Sequence, residues 1–133
     1  MRVNLVANSH RPDALASANL AADLIRSRGG EVGVEAHLAA FVNAESIPPH
    51  QIADSNLVIA LGGDGTLVRA AHLCAEHGTP ILGVDFGRFG FVTQCPPADL
   101  PLRLSAFLDG ELQVERRMML EATLRREDTV LAR

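Results

Sequence analysis

The chain has 133 residues, enough for one domain with a sizeable core. Its hydrophobic content of 47% and charged content of 21% are typical of a soluble globular protein. The net charge of −4 gives no electrostatic indication of nucleic-acid binding. Lysine is absent from the sequence, which excludes a lysine-based phosphate loop and a Schiff-base lysine within these residues.

The cysteine pattern indicates a reducing compartment. Cys74 and Cys95 form no C-x-x-C pair and read as two reduced thiols. No apolar stretch reaches transmembrane length, and the N-terminus shows no signal-peptide pattern. We therefore expect a cytoplasmic protein with no membrane partner.

The first half of the chain alternates between strand-like and helix-like segments. A buried strand is predicted over Arg2–Ala7 and a second over Glu31–Ala36. Between them a helix starts at Pro12 and is ended by Gly29 and Gly30. Its buried face is predicted to contain Leu15, Ala18, Ala21, Ala22 and Ile25. Residues 37–56 are less regular, with a loop at Pro48–Pro49 and a short helical turn over residues 50–54.

The second half continues the alternation. The apolar run over residues 56–61 lacks a polar face and predicts a central parallel strand buried on both sides. A helix follows from near Leu67, then a strand over residues 80–84, then a helix over residues 99–108. The pattern predicts a three-layer, Rossmann-like α/β domain with a mostly parallel sheet. Ligands of such sheets bind at the carboxyl ends of the strands.

The tail has a different pattern. Residues 112–124 alternate over a long span, residues 125–129 resemble a turn, and Val130 begins another strand. We predict an α/β domain over residues 1–111 and the opening strands of an antiparallel, β-rich second domain over residues 112–133. An isolated hairpin is marginally stable, so we expect a truncated chain or one completed by another chain. Homo-oligomers are favoured for the same reason.

A glycine-rich motif, Gly62-Gly63-Asp64-Gly65-Thr66, follows the predicted central strand and opens a helix. Glycines allow close backbone approach, and the N–H groups at a helix N-terminus favour phosphate. A carboxylate among those groups repels phosphate, which favours a catalytic or metal-handling role for Asp64. The structural alternative is a tight turn with Asp64 as a helix cap. The motif is not a Walker A loop, and Val68 replaces the third glycine of a Rossmann fingerprint.

A second glycine-rich turn covers residues 83–91 and also follows a strand, so both turns are expected at the same sheet edge. His72, Cys74 and His77 suggest a metal site, but on a helix only Cys74 and His77 could share a side. Two ligands do not make a zinc site. We predict packing for Cys74, solvent exposure for the histidines, and no metal site built by protein ligands.

The two motifs resemble those of the NAD kinases, also called inorganic polyphosphate/ATP-NAD kinases. Residues 62–67 match their G-G-D-G-T hallmark, and residues 83–92 resemble their signature G-[IV]-N-x-G-x-[LI]-G-F-[LV]. Residues 115–120 resemble the E-x-R-x-x-L start of their second domain. The resemblance spans nearly the whole chain. Diacylglycerol and sphingosine kinases share the first motif and phosphofructokinases carry a related form, whereas the second motif favours NAD kinase.

The resemblance implies phosphorylation of the adenosine-ribose 2′-hydroxyl of NAD to give NADP. Asp64 would be the general base that activates this hydroxyl, and Gly65 would contact the dinucleotide through its backbone. Arg69 would reach toward the NAD phosphates, with a solvated helix residue as the plain alternative. Phe91 would line the adenine side of the pocket, although a core aromatic is the expectation from sequence alone.

The resemblance also implies the second substrate, which is ATP or polyphosphate. Gly62 and Gly63 would give this donor close backbone access, and Arg88 is a weaker candidate for a phosphate contact. Mg²⁺ or another divalent cation on the donor would offset the repulsion between Asp64 and phosphate.

Two departures from the family pattern leave alternatives open. Asp85 stands where the family usually has asparagine, and the Asn-Glu motif and most of the β-rich C-terminal domain are not among these residues. The chain could therefore be a non-catalytic nucleotide-binding or assembly module. A lipid kinase fragment of the diacylglycerol type is a further alternative, which the second glycine-rich turn disfavours.

Overall fold

A computed structural model describes residues 1–87 and 95–112, together with the backbone of residues 124–126 and 129–132. Five strands form one sheet: β1 (Arg2–Ala7), β2 (Glu31–Glu35), β3 (Glu45–Ile47), β4 (Leu57–Gly62) and β5 (Ile81–Asp85). They lie in the order β3-β2-β1-β4-β5, and every neighbouring pair is parallel. The helices are α1 (Pro12–Ser27), α2 (Asp64–Cys74) and α3 (Leu100–Leu108). The predicted α/β class with a parallel sheet is confirmed.

Helices cover both faces of the sheet, and β4 therefore contributes side chains to two separate cores. Leu57, Ile59 and Leu61 pack with α1 and α3, whereas Val58 and Ala60 pack with α2 and Ile52. A strand that is apolar on both faces is what a parallel sheet between helices requires. The three layers are therefore confirmed.

Helix α1 follows its predicted pattern closely. Pro12 occupies its first turn, where the missing N–H costs nothing, and the buried face is Ala14, Ala18, Ala21, Ala22 and Ile25. Leu15, predicted on this face, packs at its edge. Gly29 ends the helix with φ of 77°, a conformation that favours glycine.

The irregular segment hides an edge strand that the sequence analysis missed. Residues 45–47 form β3 beside β2, and short 3₁₀ turns cover Ala36–Leu38 and Pro49–Gln51. The segment after β3 is tied to the central strand by Asn4, a buried amide whose Nδ2 donates to the carbonyl of Ile52 at 2.9 Å. A buried amide needs such partners, so Asn4 fixes this loop against the sheet.

Element boundaries differ from the predictions by a few residues. Helix α2 begins at Asp64 rather than near Leu67, and β4 and β5 each end one residue later than predicted. Helix α3 ends at Leu108 as predicted, and Gly110 follows with φ of 74°.

In the tail, β6 (Leu124–Arg126) and β7 (Thr129–Ala132) pair antiparallel. The division into domains 1–111 and 112–133 remains a prediction, and Arg88, Phe91 and most of the alternating tail lie outside the described residues. Within the described part, the helices are too short or too polar to cross a bilayer.

Candidate functional site

The sheet order creates a crevice between β1 and β4. From these two central strands the chain continues in opposite directions, to β2 on one side and to β5 on the other. In open parallel sheets, ligands bind outside the carboxyl ends of the strands at such a switch point. A cleft of about 410 Å³ lies there, lined by residues 7–10, His37, Gly65, Thr66 and Arg69.

The β4–α2 junction supplies one wall of this cleft. Gly63 is the N-cap residue of α2, and Asp64 is the first residue of the helix. The alternative in which Asp64 itself caps the helix is therefore wrong by one position. Gly63 has no side chain and so makes no capping hydrogen bond of its own. Asp64 is half-buried and lies where the positive end of the helix dipole favours a carboxylate.

The three glycines of the junction have different surroundings. A Cβ at Gly62 would lie 2.3 Å from the Thr66 Oγ1 atom and 3.3 Å from the Asn8 Cβ, so packing alone requires glycine there. A Cβ at Gly63 or Gly65 would meet no atom of the described residues within 4 Å. The backbone at Gly63 and Gly65 is therefore open to a ligand, while Gly62 is buried behind it.

The β1–α1 junction supplies the opposite wall. The Asn8 N–H donates to the carbonyl of Leu61 at 2.9 Å, which extends the pairing of β1 with β4 by one residue. The Asn8 Oδ1 atom then accepts the N–H of His10 at 3.0 Å, a local turn that directs the chain out of the sheet. Ser9 is half-buried, and His10 and His37 are exposed at the rim of the cleft.

Arg69 crosses from α2 to the ends of β1 and β2. Its Nη2 donates to the carbonyl of Ala7 at 3.0 Å, and its Nη1 forms an ion pair with the Glu35 carboxylate. The plain alternative of a solvated helix residue does not describe this side chain, which lines the cleft and is held by two partners.

The second glycine-rich turn starts at the same edge as the first. Asp85 pairs in register with Gly62, and the N–H of Phe86 donates to the carbonyl of Gly62 at 2.7 Å. The Asp85 Oδ1 atom accepts the N–H of Gly87 at 2.8 Å. The predicted meeting of the two turns is confirmed up to residue 87.

Arg11 carries positive charge near this edge. The hydrogen bond to Asp13 raises the pKa of the Arg11 guanidinium, and the negative charge of Asp85 raises it further.

Cys74 ends α2 and lies away from this edge, whereas the Cys95 carbonyl accepts the N–H of Asp85 at 2.9 Å, at the end of β5. Cys74 is 3% exposed, and burial raises its pKa to about 11, so the thiol is protonated and packs in the core as predicted. Burial also raises the pKa of Cys95. His72 and His77 are exposed, as predicted.

Comparison with known proteins identifies the family. The model of the ATP-NAD kinase N-terminal domain matches residues 5–112. This chain belongs to the NAD kinase family. An NAD kinase of Heliobacterium modesticaldum is 38% identical over 127 residues, covering 94% of the chain and 45% of the relative. One of Moorella thermoacetica is 35% identical over 98% of the chain and 42% of the relative. The chain thus spans about half the length of these curated relatives.

Solved structures of the NAD kinase family share the fold. An NAD kinase from Archaeoglobus fulgidus in complex with ATP matches 83% of the chain and 38% of its own length, with 20% identity and a TM-score of 0.60. A yeast NADH kinase complexed with NADH matches 84% of the chain and 38% of its own length, with 15% identity and a TM-score of 0.69.

Sequence reasoning missed half of the cleft. It selected Gly65 and Arg69 on the α2 side but none of the residues at the ends of β1 and β2. The signal available was the chain position of Asn8, a turn-forming residue directly after a buried strand. Only the sheet order, which places β1 next to β4, shows that this turn faces the glycine-rich motif.

Proposed function

We propose that this chain is the N-terminal half of an NAD kinase, which transfers a phosphoryl group from ATP to the adenosine-ribose 2′-hydroxyl of NAD. The observation that carries the proposal is the open backbone at Gly63 and at Gly65, the second of which lines the switch-point cleft of a chain in this family. Because the chain covers under half of its relatives, the remainder of the protein would complete the NAD pocket.

Asp64 is our candidate general base. It stands at the start of α2, at the carboxyl end of the central strands, where a nucleotide would be held. A carboxylate within hydrogen-bond reach of an alcohol can accept its proton as the oxygen attacks phosphorus. Phosphoryl transfer otherwise depends on positioning and charge neutralisation, which a helix N-terminus and open backbone N–H groups supply.

The glycines and Arg69 would bind phosphates. Gly63 and Gly65 allow a phosphate to approach the backbone, whereas the packing of Gly62 against Thr66 is an additional, structural reason for glycine at that position. Arg69 offers a charged fork at the edge of the cleft. Polyphosphate would suit the same groups as ATP, because both present a chain of phosphoryl oxygens. Phe91 remains the proposed adenine contact.

A divalent cation, Mg²⁺ above all, would enter this site together with the substrate phosphates. Among the described residues, no three His, Cys, Asp or Glu side chains form a cluster that could hold a metal ion. Asp64 begins α2 and Asp85 ends β5, and Mg²⁺ typically binds one or two carboxylates plus substrate phosphates. When bound, the cation would neutralise charge on the transferring phosphoryl group.

The central test replaces Asp64 by Asn in the full-length protein. NADP formation should fall by at least about 100-fold, since general-base catalysis contributes about 10² to 10⁴ in rate. The matched control is Asp13→Asn, because Asp13 is also a carboxylate in the first turn of a helix but lies outside the glycine-rich motif. Near-normal turnover in Asp64→Asn, with an unchanged melting temperature, would exclude Asp64 as the base.

The second candidate is a nucleotide-binding or assembly module without its own catalysis. The coverage of under half of the relatives favours it for this chain taken alone. NADP production and NAD binding by the 133-residue chain separate the two candidates. Turnover would exclude the binding-only function, and binding without turnover would support it.

The cellular setting belongs to the same proposal. Two free, buried cysteines suit a reducing cytoplasm. Among the described residues β6 and β7 form a two-stranded sheet, which is marginal by itself, so we propose a homo-oligomer in which this pair is covered. Size-exclusion chromatography with light scattering would test this assembly.

A further inference from the structure

The Arg69 guanidinium bridges two strand ends next to the cleft. Its Nη2 donates to the carbonyl of Ala7, the last residue of β1, at 3.0 Å. Its Nη1 bonds to the carboxylate of Glu35, the last residue of β2. The guanidinium therefore lies across the carboxyl ends of both strands, on the side of the cleft that α2 lines.

The Glu35 carboxylate depends on this contact. Its side chain is only 13% exposed, against 40% for that of Arg69. Among the described residues Arg69 is its one ion-pair partner, and its buried Oε1 atom has no hydrogen-bond partner there. Removing the cation would leave a buried charge uncompensated, which is strongly unfavourable. Arg69 is therefore held in place rather than free to follow a ligand.

The held guanidinium keeps donors for the cleft. Arginine carries five N–H donors in one rigid plane, and Glu35 and Ala7 take two of them within the described part of the chain. The others are directed by the same plane, so fixing two bonds fixes the direction of the rest. A planar guanidinium matches phosphate oxygens, and a preorganised one loses less side-chain entropy on binding.

We propose that Glu35 is a positioning residue, which orients Arg69 as a fixed contact for a phosphoryl group entering the switch-point cleft. This inference rests on the proposed function, because the phosphoryl group would belong to NAD or to the nucleotide donor. Glu35 itself acts only through Arg69.

The charge of Glu35 and its contact with Arg69 predict opposite effects on phosphate affinity when Glu35 is removed. Deleting a carboxylate near the cleft makes the local potential more positive, which by Coulomb attraction alone strengthens phosphate binding. If Glu35 orients Arg69, its deletion releases the guanidinium and weakens phosphate binding. A purely structural role for Glu35 would change the melting temperature and not the coupling between Glu35 and Arg69 in binding.

The test is calorimetric titration of the 133-residue chain with tripolyphosphate, ATP and NAD in separate arms. Arg69→Ala should weaken binding about ten-fold or more, the effect of losing a charge-assisted hydrogen bond. Glu35→Ala should weaken it several-fold in spite of the added positive potential, with Glu35→Gln between Glu35→Ala and the wild type. The double variant Glu35→Ala/Arg69→Ala should bind no more weakly than Arg69→Ala alone.

The arms identify the source of the phosphoryl group. Coupling seen with ATP and tripolyphosphate assigns the contact to the donor, and coupling seen with NAD assigns it to the dinucleotide. Higher affinity in Glu35→Ala or Glu35→Gln, additive losses in the double variant, or no binding of any probe by the wild type would overturn the proposal. If Glu35→Ala does not fold, Glu35→Gln and Arg69→Lys replace it in the test. Arg69→Lys keeps the positive charge but loses the planar guanidinium. Weaker binding in both variants would support the proposal, and stronger binding in Glu35→Gln would overturn it.

The two proposals can fail separately. A full-length protein that makes no NADP, while the coupling of Glu35 and Arg69 persists in titration, would end the proposed function and leave the positioning role. If the full-length Glu35→Ala and Arg69→Ala variants make NADP at the normal rate, the positioning role would be excluded and the proposed function would remain.

Discussion

Two strand-to-helix junctions face each other across the cleft, and they are built in different ways. The β4–α2 junction, residues 62–66, contains three glycines, and the N-cap residue of its helix, Gly63, has no side chain. The β1–α1 junction, residues 8–13, is made of side chains, with Asn8 bonded to the N–H of His10 and Asp13 bonded to the N–H of Ala14. Pro12 removes a further N–H from the first turn of α1.

The difference concerns how open the N-terminus of each helix is to an anion. An N-terminus attracts phosphate through N–H groups that the helix itself leaves unpaired. In α1 these groups are partly absent and partly bonded to neighbouring side chains, whereas in α2 the glycines leave space around them. We therefore expect substitutions at the β4–α2 junction to alter ligand binding and substitutions at the β1–α1 junction to alter stability. Gly62 is the exception, because it is packed against Thr66.

The largest effect on stability is expected from Gly62→Ala. The new methyl group would overlap Thr66 Oγ1 at 2.3 Å, and overpacking of this kind costs about 1–3 kcal/mol. Thermal or urea unfolding measures the loss. Unfolding at the wild-type midpoint would contradict the tight packing of Thr66 on Gly62.

Gly63→Ala and Gly65→Ala are the matched controls. Neither added Cβ meets a protein atom, and neither glycine has a positive φ among the described residues, so each should change stability by less than about 1 kcal/mol. Both should weaken ATP or NAD binding, because the methyl group would occupy the open approach. Unchanged affinity in both variants would contradict the assignment of this junction to ligand binding.

Thiol modification at Cys74 gives a second measure of the difference in stability between Gly62→Ala and Gly63→Ala. Burial holds its pKa near 11, so iodoacetamide at pH 8 should react with it only through local opening. Gly62→Ala should raise the reaction rate about ten-fold, and Gly63→Ala should leave it unchanged. Because the folded pKa lies above the ordinary thiol value of 9.0, stability should fall as pH rises from 9.0 toward 11. Cys74→Ala should reduce that dependence on pH, and the buried Cys95 thiol accounts for what remains.

A smaller effect is expected at the side-chain-made junction. Asn8→Ala removes the acceptor for the N–H of His10 and should lower stability by about 1 kcal/mol. Asn8→Asp keeps an oxygen at the same place and serves as the control. Equal unfolding midpoints for Asn8→Ala and the wild type would show that the turn forms without its side chain.

The smallest effect is expected from the Arg11–Asp13 pair, which is exposed to solvent. The hydrogen bond from Arg11 lowers the pKa of Asp13, so the pair adds stability above the ordinary carboxyl pKa of 3.8 and loses it as pH falls below that value. Arg11→Ala should therefore lower the melting temperature slightly at pH 7 and not at pH 2. A difference of equal size at both pH values would assign the effect to packing of the arginine stem.

Most of the fold could be predicted because local patterns match the final environment. The alternation along α1 and the uniform apolar run of β4 report burial directly, since each element contacts the core through a fixed period. Strand β3 could not be found in this way. Its three residues, Glu45–Ile47, contain a single buried apolar side chain and form a strand only because they pair with β2.

The part of the candidate site that the glycine-rich motif forms could be predicted from the sequence. The part in which side chains from distant elements meet could not. Glycines around Asp64 are visible as a motif, because their conformational role is local. The pair of Glu35 with Arg69 joins residues 34 positions apart, and no local pattern indicates it. Only the order of strands in the sheet brings β2, β1 and α2 to one place.

The order of the strands also has a consequence for how the chain folds. Strand β1 pairs with β2 at Val3 and Val32, but it pairs with β4 at Val3 and Leu57, after a much longer loop. Closing longer loops costs more chain entropy, and parallel sheets with distant pairings fold slowly. We expect β1, α1 and β2 to associate first and β4 with α2 to dock later. The cleft would then be among the last features to form, and a nucleotide could act only on a chain that has already passed its slowest folding step.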